Sequence, residues 1–189
     1  MVRHLPNLIT ALRIVLVIPL CWLIDEGRYP AALGLVAVAG ASDGVDGFLA
    51  RRYGWQSWIG GILDPLADKL MLTVAFVCLA LSGQLPVWLA LIVVGRDLVI
   101  VCGAFAYHFL IGPFEAAPSR LSKATTAIQI AFVLATLLRS SAWLAIPGWL
   151  WLVLALATAA ITLASGFHYV MVWTARARHA RRGPGERLQ

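Results

Sequence analysis

Charge is what this 189-residue chain has least of. Only 13% of its residues are charged and nine are acidic, against 61% hydrophobic and a mean hydropathy of +0.84. Soluble domains carry about 25% charged residues, so a soluble globule is excluded. No segment alternates polar and apolar residues with period two, which argues against a membrane β-barrel. Cysteine is scarce too: Cys21, Cys78 and Cys102 stand singly in separate apolar runs, with no spacing for a disulfide framework or a thiolate metal site. They read as inert buried thiols. Internal repeats and low-complexity linkers are missing, and one domain is the simplest partition.

What remains is hydrocarbon in long runs. A helix crosses a bilayer with about 20 mostly apolar residues, and six such runs fit, at 6–24, 30–51, 60–82, 86–111, 122–138 and 147–174. The breaks "DEGRYP", "SGQLP", "GPFEAAPS" and "RSSAWLAIPG" combine Gly, Pro or Ser with polar residues. The expected fold class is therefore an all-α integral membrane protein of six transmembrane helices. Residues 1–175 would form the six-helix domain and 176–189 a basic tail.

Orientation follows from the cations. Arg3, Arg51, Arg52, Arg120, Lys123, Arg176, Arg178, Arg181, Arg182 and Arg187 fall on one side, and only Arg28 and Arg139 on the other. By the positive-inside rule both termini are cytoplasmic. The net charge of +6 then needs no nucleic acid, since a tail such as "RARHARR" rests naturally on anionic headgroups. No Arg- and Ser-rich leader precedes the first run, which points to a bacterial inner membrane. Most of the eight tryptophans, including Trp55, Trp58, Trp88, Trp143 and Trp149, sit near run ends, as interfacial belts do. His4, His108, His168 and His179 read as solvated or locally satisfied.

Against this background the stretch from Ser42 to Leu70, "SDGVDGFLARRYGWQSWIGGILDPLADKL", is chemically out of place. Each carboxylate at the centre of a spanning helix costs about 2.5–3.5 kcal/mol, so four facing lipid would cost on the order of 10 kcal/mol. Asp43 and Asp46 are three apart, and Asp64 and Asp68 four apart, so each pair shares a helix face. The polar reversal between them would bring the two faces together near the cytoplasmic surface. Converging carboxylates repel unless cations sit among them, and hard oxygen donors without sulfur or a His cluster suit Mg²⁺ or Mn²⁺. Two such ions are the arrangement suited to phosphoryl chemistry. Small residues at Gly40, Gly44, Gly47, Ala50, Gly60 and Gly61 would admit a ligand close to the backbone, or serve helix packing. Arg51 is placed either to meet a phosphate or to anchor at the interface.

The pattern D-x-x-D-G-x-x-A-R-x8-G-x3-D-x3-D is filled at every position by Asp43, Asp46, Gly47, Ala50, Arg51, Gly60, Asp64 and Asp68. It resembles the CDP-alcohol phosphatidyltransferases, a family with a six-helix core of this size; "PNLITALR", with Asn7, Thr10 and Arg13, also looks like the entry to their first helix. The resemblance implies that Asp43, Asp46 and Asp64 bind two divalent ions. Asp68 would complete that site and act as general base on the acceptor hydroxyl. Asn7, Thr10, Asp43, Gly47, Ala50, Arg51 and Gly60 would bound the CDP pocket. The implied donor is CDP-diacylglycerol, with CMP leaving, and the implied assembly is a homodimer through the late helices.

For the acceptor, the fourth and fifth runs offer Arg96, Asp97, Arg120, Ser122, Lys123, Thr126 and Gln129. Three cations suggest an anionic acceptor held by Arg96, Arg120 and Lys123, although Arg96 beside Asp97 also reads as a self-neutralised structural pair. Family members that make phosphatidylglycerophosphate usually show R-E-F in the fourth helix and a second Arg eight residues after the first. Here the stretch is "GRDLVIVCGAF", with Ala104 at that place, and "SKATTAIQ" opens the fifth run. Both resemble the CMP-forming cardiolipin synthase branch, whose acceptor is phosphatidylglycerol. Glycerol-3-phosphate, as used by phosphatidylglycerophosphate synthases, is the alternative. A Mg-dependent membrane prenyltransferase would place a second acid motif in the other half of the chain, and a divalent-cation carrier would not need the Gly, Ala and Arg positions. Replacing Asp68→Asn is expected to abolish transfer while CDP-diacylglycerol binding largely persists, with radiolabelled CMP release and donor binding measured side by side. Near-normal turnover of the variant would remove the base.

Overall fold

The structure, a computed structural model, describes the backbone of residues 5–53, 58–110 and 120–181, and the side chains of residues 14–42, 69–103 and 121–174. Six helices follow one another: α1 Leu5–Asp25, α2 Tyr29–Tyr53, α3 Trp58–Leu81, α4 Val87–Leu110, α5 Arg120–Ser140 and α6 Gly148–Arg181. No strand occurs among the described residues. Each helix covers most of one expected apolar run, where mostly aliphatic side chains outweigh the cost of interior glycines such as Gly34 and Gly95. Pro19 is the one proline inside α1. Residues 54–57, within the polar reversal expected between the two acid pairs, and residues 111–119 lie outside the described residues.

α6 departs from expectation. Its 34 residues extend about 50 Å at 1.5 Å per residue, well beyond a hydrocarbon core of about 30 Å. The run "TARARHAR" holds Ala and Arg, strong helix formers, and no breaker, so the start of the basic tail is a continuation of the same helix.

The three turns at the other end are tight. Gly27, with φ of 70°, ends α1, while Arg28 N–H donates to Leu23 C=O (2.8 Å) and Gly27 N–H to Ile24 C=O (3.1 Å). Gly83, with φ of 73°, ends α3 through the same pair of bonds, Gln84 to Leu79 (2.9 Å) and Gly83 to Ala80 (3.1 Å). Both are left-handed caps in which glycine avoids the Cβ clash. After α5 the left-handed position is occupied by Ala142, φ 56°.

Packing pairs α1 with α2, α3 with α4, and α5 with α6 across these turns. α3 also packs on α1 and α5, α5 on α2, and α4 on α6, so α3 and α5 form the middle of the bundle. Phe76, Leu79, Leu89, Val93, Phe132 and Leu137 are buried there. Phe76 stacks on Phe132 with centroids 6.1 Å apart, and Phe132 meets Trp151 at 5.8 Å, an aromatic string from α3 through α5 to α6. Ala155 and Ala159 of α6 are buried in this core, whereas Ala160 faces outward.

The outward faces are hydrocarbon: Ile18, Val38, Leu81, Leu91, Leu98, Leu163 and Phe167 are all exposed. Contiguous apolar surface on this scale is unstable against water and fits a bilayer. Among the described residues, two helices, Leu121–Ser140 and Gly148–Thr174, are long and apolar enough to cross a membrane. Trp88, Trp143 and Trp149 are exposed near the tight-turn end, where an interfacial belt belongs.

Candidate functional site

Two continuous helices carry the acid motif. Asp43, Asp46, Gly47, Ala50 and Arg51 fall in the last turns of α2, and Gly60, Asp64 and Asp68 in the first half of α3. Helical geometry over both stretches keeps 43 with 46, and 64 with 68, on common faces. Side chains at these positions lie outside the described residues, as do those of Asn7 and Thr10 in α1 and of Arg120 at the start of α5. Among the described residues no group of three His, Cys, Asp or Glu gathers that could hold a metal ion. The donors available to one are the motif's own carboxylates, hard oxygens of the type Mg²⁺ and Mn²⁺ select.

Directly after Asp68 the described region begins, and it begins with a charge network. Lys69 of α3 donates from Nζ to Asp97 Oδ1 of α4 at 2.9 Å, and Thr73 Oγ1, one turn further along α3, donates to Asp97 Oδ2 at 3.4 Å. Arg96 donates from Nη1 to the same Asp97 Oδ1 at 2.6 Å. Its other terminal nitrogen, Nη2, donates to Ser122 Oγ of α5 and Ser165 Oγ of α6, both at 2.9 Å. Arg96 is 5% exposed, and its Nε is buried with no hydrogen-bond partner among the described residues. Its aliphatic stem lies over Gly166, where an added Cβ would come within 3.4 Å of Arg96 Cγ. A buried guanidinium is tolerable only when paired and hydrogen-bonded, and here α4, α5 and α6 each contribute a partner.

Of the three cations expected to hold an acceptor, Arg96 is thus drawn into the bundle, and the adjacent Arg96–Asp97 pair does form. Lys123 is exposed on α5, one residue from Ser122. Thr126 hydrogen-bonds the Ser122 carbonyl of its own helix at 3.1 Å. Gln129 is buried and donates from Nε2 to Thr162 Oγ1 of α6 at 3.0 Å. The sequence reading assigns nothing to Lys69, Thr73, Thr158, Thr162 or Ser165. The signal was present for the last three, which repeat at 158, 162 and 165 along one face of an otherwise apolar α6, opposite Ser122, Thr125 and Gln129 of α5.

An apolar cavity of about 410 Å³ lies beside the motif helices, within the range of ligand pockets. Gly40 and Ala41 of α2 line it within three residues of Asp43, and Met71 and Leu72 of α3 within four of Asp68. Leu20 of α1 and Ile130, Val133 and Leu134 of α5 close the rest. Among the described residues that line it, none is charged.

Residues 3–164 match the family description "CDP-alcohol phosphatidyltransferase", and the whole motif lies inside that match. The chain belongs to this family. Over 149 residues it is 35% identical to a CMP-forming cardiolipin synthase of Homo sapiens, covering 70% of this chain and 50% of that protein. It is 33% identical over 153 residues to a CMP-forming cardiolipin synthase of Streptomyces coelicolor, covering 76% and 70%. A CDP-diacylglycerol–glycerol-3-phosphate 3-phosphatidyltransferase of Pseudomonas fluorescens is 43% identical over 104 residues, covering 51% and 52%. The chain spans about half the length of the human relative it matches. As a CDP-alcohol phosphatidyltransferase it carries the acid motif at the junction of α2 and α3 and braces α3, immediately beyond that motif, through Asp97.

Replacing Arg96→Gln leaves Ser122 and Ser165 without their charged donor and takes the guanidinium from Asp97, which keeps Lys69 and Thr73. Removing one member of a buried ion pair costs about 3–5 kcal/mol. The expected result is a clear fall in the thermal unfolding midpoint in detergent, while Lys123→Gln, at an exposed position, leaves the midpoint in place.

Proposed function

We propose that this chain is a CMP-forming cardiolipin synthase, transferring the phosphatidyl group of CDP-diacylglycerol to phosphatidylglycerol. The observation that carries the reaction class is the complete eight-position acid motif on two consecutive helices of a family member. The acceptor reading is supported by the relatives named cardiolipin synthase, which align over 70% and 76% of the chain, and by Ala104 and "SKATTAIQ" in place of the phosphatidylglycerophosphate pattern. The 43% identity to a glycerol-3-phosphate phosphatidyltransferase over 104 residues keeps that acceptor as the second reading.

In the proposed reaction Asn7, Thr10, Asp43, Gly47, Ala50, Arg51 and Gly60 bound the CDP moiety. Asp43, Asp46, Asp64 and Asp68 would hold two Mg²⁺ or Mn²⁺ ions, which supply positive charge for the diphosphate. Asp68 takes the proton of the acceptor hydroxyl. That oxygen forms a bond to the β-phosphorus, the bond from the β-phosphorus to the bridging oxygen breaks, and CMP leaves with the electron pair. Arg120 and Lys123, at the start of α5, together with Arg96 would hold the anionic acceptor. Six spans in the inner membrane, with both termini and the motif at the cytoplasmic surface, place a water-soluble leaving group and lipid substrates at one boundary. A homodimer through outward late-helix surface completes the assembly.

The apolar cavity beside α2 and α3 suits a hydrocarbon chain of one lipid substrate, because it adjoins the motif and its described lining is apolar. A Cβ at Gly40 meets nothing within 4 Å, so Gly40→Leu can fill the cavity without displacing backbone. The expected result is a raised KM for long-chain CDP-diacylglycerol and little change for a short-chain analogue, read from initial rates. The acceptor itself is tested with purified protein, CDP-diacylglycerol and Mg²⁺ or Mn²⁺ against phosphatidylglycerol, glycerol-3-phosphate, inositol phosphate and serine, following CMP and lipid product. Cardiolipin from phosphatidylglycerol is expected. Product from glycerol-3-phosphate alone would keep the mechanism and change the acceptor.

A further inference from the structure

We propose that Asp97 is a positioning residue for the phosphatidyl transfer, setting the rotation of α3 at Asp68 by gripping that helix through Lys69 and Thr73. The inference rests on the reading of Asp68 as general base. Lys69 and Thr73 are four residues apart and lie on one helix face, so two grips one turn apart resist both sliding and rotation of α3. Lys69 is the residue next to Asp68, and the stripe 64 and 68 is offset from the stripe 69 and 73 by one helical step of about 100°. Fixing one stripe therefore fixes the other.

Asp97 is itself anchored. Its Oδ1 accepts from Arg96 Nη1 at 2.6 Å as well as from Lys69 at 2.9 Å, and the Arg96 side chain is 3% exposed. Through Ser122 and Ser165 the guanidinium carries the connection to α5 and α6. The α3 turn beyond Asp68 is thus referenced to three other helices by charged and charge-assisted bonds, which are stronger and more directional than the aliphatic contacts elsewhere in the bundle. An ammonium and a carboxylate inside an apolar bundle are costly, and their placement at the first turn past the base, rather than anywhere else along α3, is what a positioning device requires. The Lys69 side chain is 30% exposed and Asp97 15%, so both are sheltered from full solvent screening.

The test uses the full-length protein with CDP-diacylglycerol and its acceptor, measuring CMP release per folded molecule with folding checked by circular dichroism and gel filtration. Asp97→Asn and Lys69→Met are each expected to lower kcat on the order of 10²-fold, the scale of a misplacement of about 1 Å at a reacting group, with KM for either lipid nearly unchanged. The double variant is expected to be no worse than the more impaired single, because the Lys69–Asp97 ion pair is already lost in each single variant. Lys69→Arg, which keeps the charge and reach, is expected to retain most of the turnover. Near-normal turnover of Lys69→Met, multiplying losses in the double variant, or a rise in KM at constant kcat would each overturn the proposal. Should Asp97→Asn not fold, Lys69→Met decides alone, since it leaves the Arg96–Asp97 pair intact. Failure of the unaltered protein to release CMP with any acceptor would overturn the underlying reading and the inference with it; an active protein insensitive at Lys69 overturns the inference only.

Discussion

A charge placed within an apolar bundle has to find its partner inside the bundle, and that constraint organises this molecule. Asp97 accepts from Lys69 and Arg96, and Arg96 spends its remaining terminal nitrogen on hydroxyls of α5 and α6. Elsewhere the described helices meet mostly through aliphatic contacts, one aromatic string and a few neutral hydrogen bonds, and the apolar contacts tolerate sliding and rotation. The ionic network does not tolerate them. It sits where α3 leaves the acid motif, so the most direction-sensitive interactions in the described bundle border the place where chemistry is expected.

The same constraint separates two kinds of polar residue along the chain. Gln129 with Thr162, Thr136 with Trp151, and Ser140 with Gln84 are neutral pairs that each join two parts of the bundle without carrying charge. Several threonines, such as Thr125 and Thr158, instead return their hydroxyl to a carbonyl of their own helix, a local satisfaction that lets a polar residue sit in an apolar core. The α5–α6 contact is consequently the most polar seam among the described residues. Hydrogen bonds substitute there for the hydrophobic drive that is missing between helices already surrounded by hydrocarbon.

The helices were legible in the sequence because nothing but length and apolarity defines them, and Gly27 and Gly83 marked two turns directly. The end of α6 was not legible, since hydropathy stops at about 174 while helix propensity continues through the Ala–Arg run. The acid motif could be read whole because its spacing is local, all within 26 residues. Arg96 could not: its partners Ser122 and Ser165 are 26 and 69 residues away, and only three-dimensional packing brings them to one nitrogen. Lys69 was hidden for the same reason, 28 residues from Asp97. Spacings within one helix leave a periodic trace; partners on different helices do not.

The tight turns after α1, α3 and α5 have a consequence for how such a chain is made. Each joins two helices that pack on one another, and the first two close their own helix ends with backbone bonds, needing nothing from the rest of the molecule. The six helices therefore follow one another as three hairpins, which then pack on one another. A hairpin of this kind satisfies its turn before its neighbours have been synthesised, so assembly can advance two helices at a time. The Lys69–Asp97 bond closes within the second hairpin, whereas the bonds from Arg96 to Ser122 and Ser165 form only when the third arrives, which makes those Arg96 contacts a record of correct order as well as correct packing.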